Sequence, residues 1–180
     1  MTTEIAIFGG GCFWCTEAIF KELRGVISVT PGYAGGSTRR PTYDEVSGST
    51  TGHAEVIRVE FNSEIIPYRD LLDIFMHTHD PTTLNRQGDD VGTQYRSVII
   101  VTSARQKEEV EQYLKDLQSS DEFKQKKIVT ELLPLSEFTE AEEYHKDYYA
   151  LNKDKPYCQI VISPKLTKLR GKYADKLKEN

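Results

Sequence analysis

The run Ile5-Ala6-Ile7-Phe8, followed by Gly9-Gly10-Gly11-Cys12 and then by Thr16 to Leu23, constrains this chain more than any other stretch. Four consecutive apolar residues closed by glycines read as a short buried strand, and Ala18, Ile19 and Leu23 recur at helical spacing. The unit is therefore strand, glycine turn, helix. Cys12 stands where that helix begins and Cys15 three residues on, with Phe13 and Trp14 between them. A thiol at a helix start meets unpaired backbone N–H groups and the positive end of the helix dipole. Both favour thiolate, so the Cys12 pKa is expected to fall below about 8.5. One helical turn brings Cys15 alongside Cys12, which makes an intramolecular disulfide available. Phe13 and Trp14 read as walls of an apolar pocket, or equally as core at a strand–helix junction.

Further along, Val26 to Tyr33 and His53 to Phe61 read as strands. In the second, Glu55 alternates onto the same face as Ile57, Val59 and Phe61. Pro67 suits the first position of a helix carrying Leu71, Leu72, Ile74 and Phe75, and His77 to Arg96 reads as a polar loop long enough to suspect function. Ser97 to Val101 is expected as a strand, and Ser103 with Gln106 as a capping box for a helix to about Leu117. A strand at Ile128 to Leu133, a helix capped by Thr139 and Glu142 and running through Tyr149, a strand at Tyr157 to Ile162 and an amphipathic helix at Leu166 to Leu177 complete the reading. His145 falls in the charged helix and is expected to face solvent. The element order fits an α+β fold, a two-layer α/β sandwich with a ferredoxin-like core and a mixed, largely antiparallel sheet. At 180 residues the chain is expected to be one catalytic domain, 1–180, and a monomer.

Composition excludes more than it assigns. The net charge of −5 is spread along the chain without a Lys/Arg cluster, so neither nucleic acid nor membrane is expected as a partner. Met1 to Glu4 lacks a basic leader and the first apolar run is too short for a signal peptide, which reads as cytoplasmic. Three cysteines do not make a secreted disulfide framework, so a CxxC here is catalytic or metal-binding. A zinc site would need His77 and His79 to complete it. Cys158, alone in an apolar segment, reads as a small buried hydrophobe. A thioredoxin-like oxidoreductase shares the order strand, CxxC, helix, but Pro41, Pro81 and Pro134 offer no clear partner for its disulfide.

Seven ordered motifs extend the pattern: Gly10-Gly11-Cys12-Phe13-Trp14, Gly32-Tyr33-Ala34-Gly35-Gly36, Pro41-Thr42-Tyr43, Thr51-Gly52-His53-Ala54-Glu55, His79-Asp80-Pro81-Thr82, Asn85-Arg86-Gln87-Gly88 and Gly92-Thr93-Gln94-Tyr95-Arg96-Ser97. Together they resemble the peptide methionine sulfoxide reductases of the A type, over most of the chain. The resemblance implies reduction of methionine (S)-sulfoxide, free or in proteins, with no metal or organic cofactor and with thioredoxin as reductant. It implies Cys12 as nucleophile, Glu55 as proton donor, Phe13 and Trp14 as the pocket for the substrate methyl group, Tyr43 and Tyr95 as ligands of the sulfoxide oxygen, and Asp90 as a supporting acid. Many members have glycine at the position of Cys15 and resolving cysteines in a glycine-rich tail. Here the end, Leu166 to Asn180, is charged and helix-like, which makes Cys15 the resolving candidate and Cys158 the alternative.

Overall fold

The first apolar run forms strand β1 (Thr3–Gly9), and it lies inside the sheet with Ala6, Ile7 and Phe8 fully buried. The computed structural model describes residues 2–179. After β1 come α1 (Phe13–Lys21), β2 (Val26–Ala34), α2 (Tyr43–Ser47), β3 (Ala54–Asn62) and α3 (Tyr68–Thr78). A small hairpin, β4 (Arg86–Gln87) and β5 (Asp90–Val91), precedes β6 (Val98–Val101) and α4 (Ala104–Gln118). The remainder is β7 (Glu131–Pro134), β8 (Phe138–Glu140), α5 (Tyr148–Leu151) and α6 (Ser163–Lys172).

Six strands make one mixed sheet in the order β7-β6-β1-β3-β2-β8. β1 pairs antiparallel with β3, Ala6 opposite Val59, and with β6, Phe8 opposite Ile99. β3 pairs antiparallel with β2, Tyr33 opposite Glu55, while β7 runs parallel to β6. Phe8, Ile57, Val59, Phe61 and Ile99 share the face that meets α1 and α3, where Phe8 stacks on Phe75 with ring centroids 4.8 Å apart. Ile7, Val56, Val98 and Ile100 form a smaller cluster on the other face, closed by Leu133 and Phe138. Alternation along β3 therefore puts Glu55 on the side of the main core, as its sequence neighbours indicate. No helix among the described residues is long and apolar enough to cross a membrane.

Several expected elements differ. Pro67 precedes α3 as its N-cap, with ψ 152°, and α3 continues through Thr78 into the segment expected as loop. The Ser103 cap is half of the expected box: its hydroxyl accepts from Gln106 N, but the Gln106 side chain accepts from Thr102 N instead. The strand expected from Ile128 begins only at Glu131. Thr139 caps no helix, because it lies in β8 opposite Tyr33, and Glu142 is spent on the Tyr33 hydroxyl and the Tyr43 N–H. In place of one continuous helix the chain makes a 3-10 turn, Glu143–His145, and the short α5.

Tyr157 to Ile162 is not a strand. Cys158–Ile162 is a π-helical turn that runs straight into α6, and Ile160, which alternation would bury, is exposed. The buried set Cys158, Ile162, Leu166, Leu169 and Tyr173 is spaced four, four, three and four apart, which is the period of one helix face. The edge of the sheet beside β2 is already taken by β8. The terminal helix correspondingly starts earlier than expected and ends at Lys172, with a 3-10 turn at Ala174–Lys176.

Candidate active site

β1 ends at Gly9, and Gly10 and Gly11 turn the chain so that Cys12 (φ −57°, ψ 127°) becomes the N-cap of α1. The turn requires glycine at Gly11, whose φ of 95° disfavours any side chain and whose Cβ would lie 2.7 Å from Gln87 Cγ. Gln87 cannot easily yield, because its amide accepts from Asp80 N and donates to Asp80 O. Gly11→Ala is therefore expected to lower stability by about 1–3 kcal/mol. Urea denaturation measures this; an unchanged midpoint would show that the turn tolerates a side chain.

Cys12 is 8% exposed and Cys15 1% exposed. Burial pushes the Cys12 thiol well above the usual cysteine range, with Cys15 and the charge of Glu55 adding to the rise. The fall expected from the helix start is thus reversed. A helix end stabilises a charge by roughly 0.3–2 kcal/mol, whereas removing a thiolate from water costs several. Cys15 is held at about 7, chiefly because Cys12 hydrogen-bonds to it, with Lys165 and Tyr157 helping. Each thiol thus bears on the other's proton, and the pair loses its protons together.

Glu55 reaches this pair from β3. It is 2% exposed and its Oε2 accepts from the Phe13 N–H at 3.0 Å, one residue from Cys12. Burial holds the carboxyl up at about 8 against that N–H, with the charges of Asp90 and Cys15 adding to the rise. It is therefore an acid at neutral pH. Burial also raises the hydroxyls of Tyr43, at the start of α2, and Tyr95, at the end of a 3-10 turn, and the charges of Glu55 and Cys12 act on both. Asp90, in β5, accepts from the Tyr157 hydroxyl at 2.8 Å, and that hydroxyl lies 3.7 Å from Cys15 Sγ.

Phe13 is core, 1% exposed, while Trp14 is half-buried and stacks flat on Tyr148 with centroids 3.6 Å apart. The structure thus gathers Cys12, Phe13, Trp14, Cys15, Tyr43, Glu55, Asp90 and Tyr95 around one spot. It adds Tyr148, Tyr157 and His145, which the sequence pattern does not single out. His145, expected in solvent, is 1% exposed and packs against Phe13, Trp14 and Tyr43. All three added residues lie between Thr139 and Ile162, where the local signals point to the wrong secondary structure. A signal for Tyr43 is present in the sequence: Thr42-x-x-Glu45 is a full capping box that fixes Tyr43 at the start of α2.

The remaining candidates serve the scaffold. His53 accepts from Gly36 N and bonds Thr38 O, and Arg86 donates to Gly88 O within its hairpin. Both ring nitrogens of His79 are engaged, by Phe75 O and Ser97 Oγ, and His77 bonds Asp73 O. Among the described residues no group of three or more His, Cys, Asp or Glu side chains is placed to hold a metal ion. Cys158 is fully buried, as expected, and burial raises its thiol, but the charge of Cys15 also reaches it.

A buried dithiol at a helix start, beside a carboxyl that keeps its proton at neutral pH, defines a thiol-dependent redox enzyme. Its family is given by comparison: residues 4–177 match the profile of the peptide methionine sulfoxide reductases, and the chain belongs to that family. It is 53% identical over 175 residues to peptide methionine sulfoxide reductase MsrA of Saccharolobus solfataricus, covering 97% of both chains. Among solved structures it resembles reduced Mxr1 from Saccharomyces cerevisiae, with TM-score 0.79 and 33% identity over 87% of this chain and 89% of that one. It also resembles Mxr1 in complex with Trx2, with TM-score 0.56 and 26% identity over 79% and 84% of the respective chains. Membership excludes the thioredoxin-like alternative.

Proposed function

We propose that the chain reduces methionine (S)-sulfoxide, free or in proteins, through attack of Cys12 on the sulfoxide sulfur. The observation that carries this is Glu55, a buried carboxyl with one oxygen fixed on Phe13 N–H next to the nucleophile. A sulfoxide oxygen leaves poorly, so thiolate attack needs a positioned acid, and an apolar setting supplies one at neutral pH. In this reading Tyr43 and Tyr95 hold the oxygen, Phe13 and Trp14 receive the methyl group, and Asp90 supports the site through Tyr157.

The electron balance is closed by side chains. Attack forms a bond from Cys12 sulfur to the substrate sulfur, and Glu55 protonates the oxygen. The hydroxyl then passes to the Cys12 sulfur as the sulfur–oxygen and the new sulfur–sulfur bonds break, so methionine leaves two electrons richer and Cys12 becomes sulfenic acid. The Cys15 sulfur then displaces the hydroxyl, giving water and a Cys12–Cys15 disulfide. Thioredoxin supplies the two electrons that restore the dithiol, in keeping with the complex that Mxr1 forms with Trx2. No metal or organic cofactor enters this cycle.

Turnover of both sulfoxide epimers with dithiothreitol and with thioredoxin tests the reading. Only the S epimer is expected to react. Cys15→Ser should release one methionine per enzyme and then stall with thioredoxin, whereas Cys158→Ser should cycle. Unimpaired cycling in Cys15→Ser would move resolution to Cys158.

We also read the chain as one catalytic domain, 1–180, acting as a monomer in the cytoplasm. Three free, buried cysteines support a reducing compartment. The order β6-β1-β3-β2, antiparallel between each pair of neighbours, supports a ferredoxin-like core in a largely antiparallel sheet.

A further inference from the structure

We infer that His145 is a positioning residue that fixes the in-plane orientation of the Trp14 indole, and through it the size of the group accepted on the sulfoxide sulfur. This rests on the reading of Trp14 as a wall of the methyl pocket. Three neighbours hold the indole. Stacking on Tyr148, at an interplanar angle of 5°, and the edge-on Tyr157 ring, with centroids 5.9 Å apart, set its plane through apolar contacts that carry no directional bond. The Trp14 Nε1–H donates to His145 Nδ1 at 3.1 Å, and that directional bond removes the remaining freedom.

The imidazole is a costly choice at this position. It is 1% exposed, lodged between the rings of Phe13 and Tyr43 at centroid distances of 4.9 and 4.5 Å. Because Nδ1 accepts from Trp14, the ring proton sits on Nε2, which has no hydrogen-bond partner and whose nearest charged oxygen is Glu142 Oε2 at 3.5 Å. Burial disfavours the imidazolium and so preserves the acceptor. A phenylalanine would fill the same space without an orphaned N–H, so what the imidazole contributes is Nδ1.

Trp14 is the only tryptophan of the chain, and its fluorescence reports the contact directly. His145→Phe and His145→Leu remove the acceptor and keep apolar volume, so either one that folds suffices. His145→Asn places an amide oxygen where Nδ1 stood. The probes are a methyl sulfoxide and its ethyl homologue. A fixed wall discriminates one methylene by about 10–200-fold, and loss of the bond is expected to reduce the methyl-to-ethyl ratio of kcat/KM about five- to tenfold. The emission maximum should shift in the same variants, and His145→Asn should recover both signals. Unchanged emission and ratio in folded His145→Phe or His145→Leu overturns the positioning role. A ratio that is unmoved in Trp14→Phe as well overturns instead the reading of Trp14 as pocket wall.

Discussion

Cys12→Ser is expected to abolish sulfoxide reduction, by about 10⁴-fold or more, while leaving the protein at least as stable as before. An alcohol cannot pass through the sulfenic acid state, so the loss falls on chemistry and not on binding. Stability should not suffer, because Cys12 is the N-cap of α1 and makes no side-chain cap hydrogen bond, whereas serine is a preferred capping residue. The gain is of the order of 0.5–1 kcal/mol. Initial rates and urea denaturation on the same preparation measure both effects. Residual turnover above about 1% of wild type would assign the nucleophile elsewhere.

Glu55 should separate acid function from stability in the opposite way. Below pH 8 the folded carboxyl is protonated, so the rate is expected to decline as pH rises through about 8. Glu55→Ala should slow the attack about 10²–10³-fold, whereas Glu55→Gln should stay within about tenfold, because an amide can still hydrogen-bond the oxygen. The alkaline decline should vanish in Glu55→Gln. Linkage fixes the sign of the stability effect. The folded pKa of about 8 lies above the ordinary value of 4.5, so between them the folded state keeps a proton that the unfolded chain has released. Stability contributed by that proton is fully present below about 4.5 and is lost as pH rises through 8. Glu55→Gln should therefore be the more stable protein at pH 9, by a few kcal/mol, with the difference shrinking toward pH 5. Parallel melting midpoints at every pH would show that Glu55 titrates normally, and the acid role would fall with it.

Legibility tracked the range of the interactions involved. Strand β1, the glycine turn, the start of α1 and the α4 cap at Ser103 are set within a few residues, and they stand where the sequence puts them. Alternation along β3 is enough to place Glu55 on the core side without reference to any partner. From Thr139 onward the local signals mislead. Tyr157-Cys158-Gln159-Ile160-Val161-Ile162 has the composition of a strand, but β8 already occupies the place beside β2, and a helix face with the spacing of Cys158, Ile162 and Leu166 buries better. His145 looks solvated among Glu142, Glu143, Lys146 and Asp147, because nothing local reports that Trp14, 131 positions earlier, needs an acceptor.

By itself the sequence determined that Cys12 would stand at a helix start with Cys15 one turn away, since a glycine turn and a helical period are local properties. Only the tertiary structure decided how the protons are distributed. β1, β3, the β4–β5 hairpin and the segment carrying Tyr157 bury Cys12 and Glu55 together, and desolvation then outweighs the helix dipole. The isolated turn would make Cys12 the thiolate. In the folded protein burial holds the Cys12 thiol up and Glu55 keeps its proton at neutral pH, because burial is a property of the whole packing and no single segment encodes it.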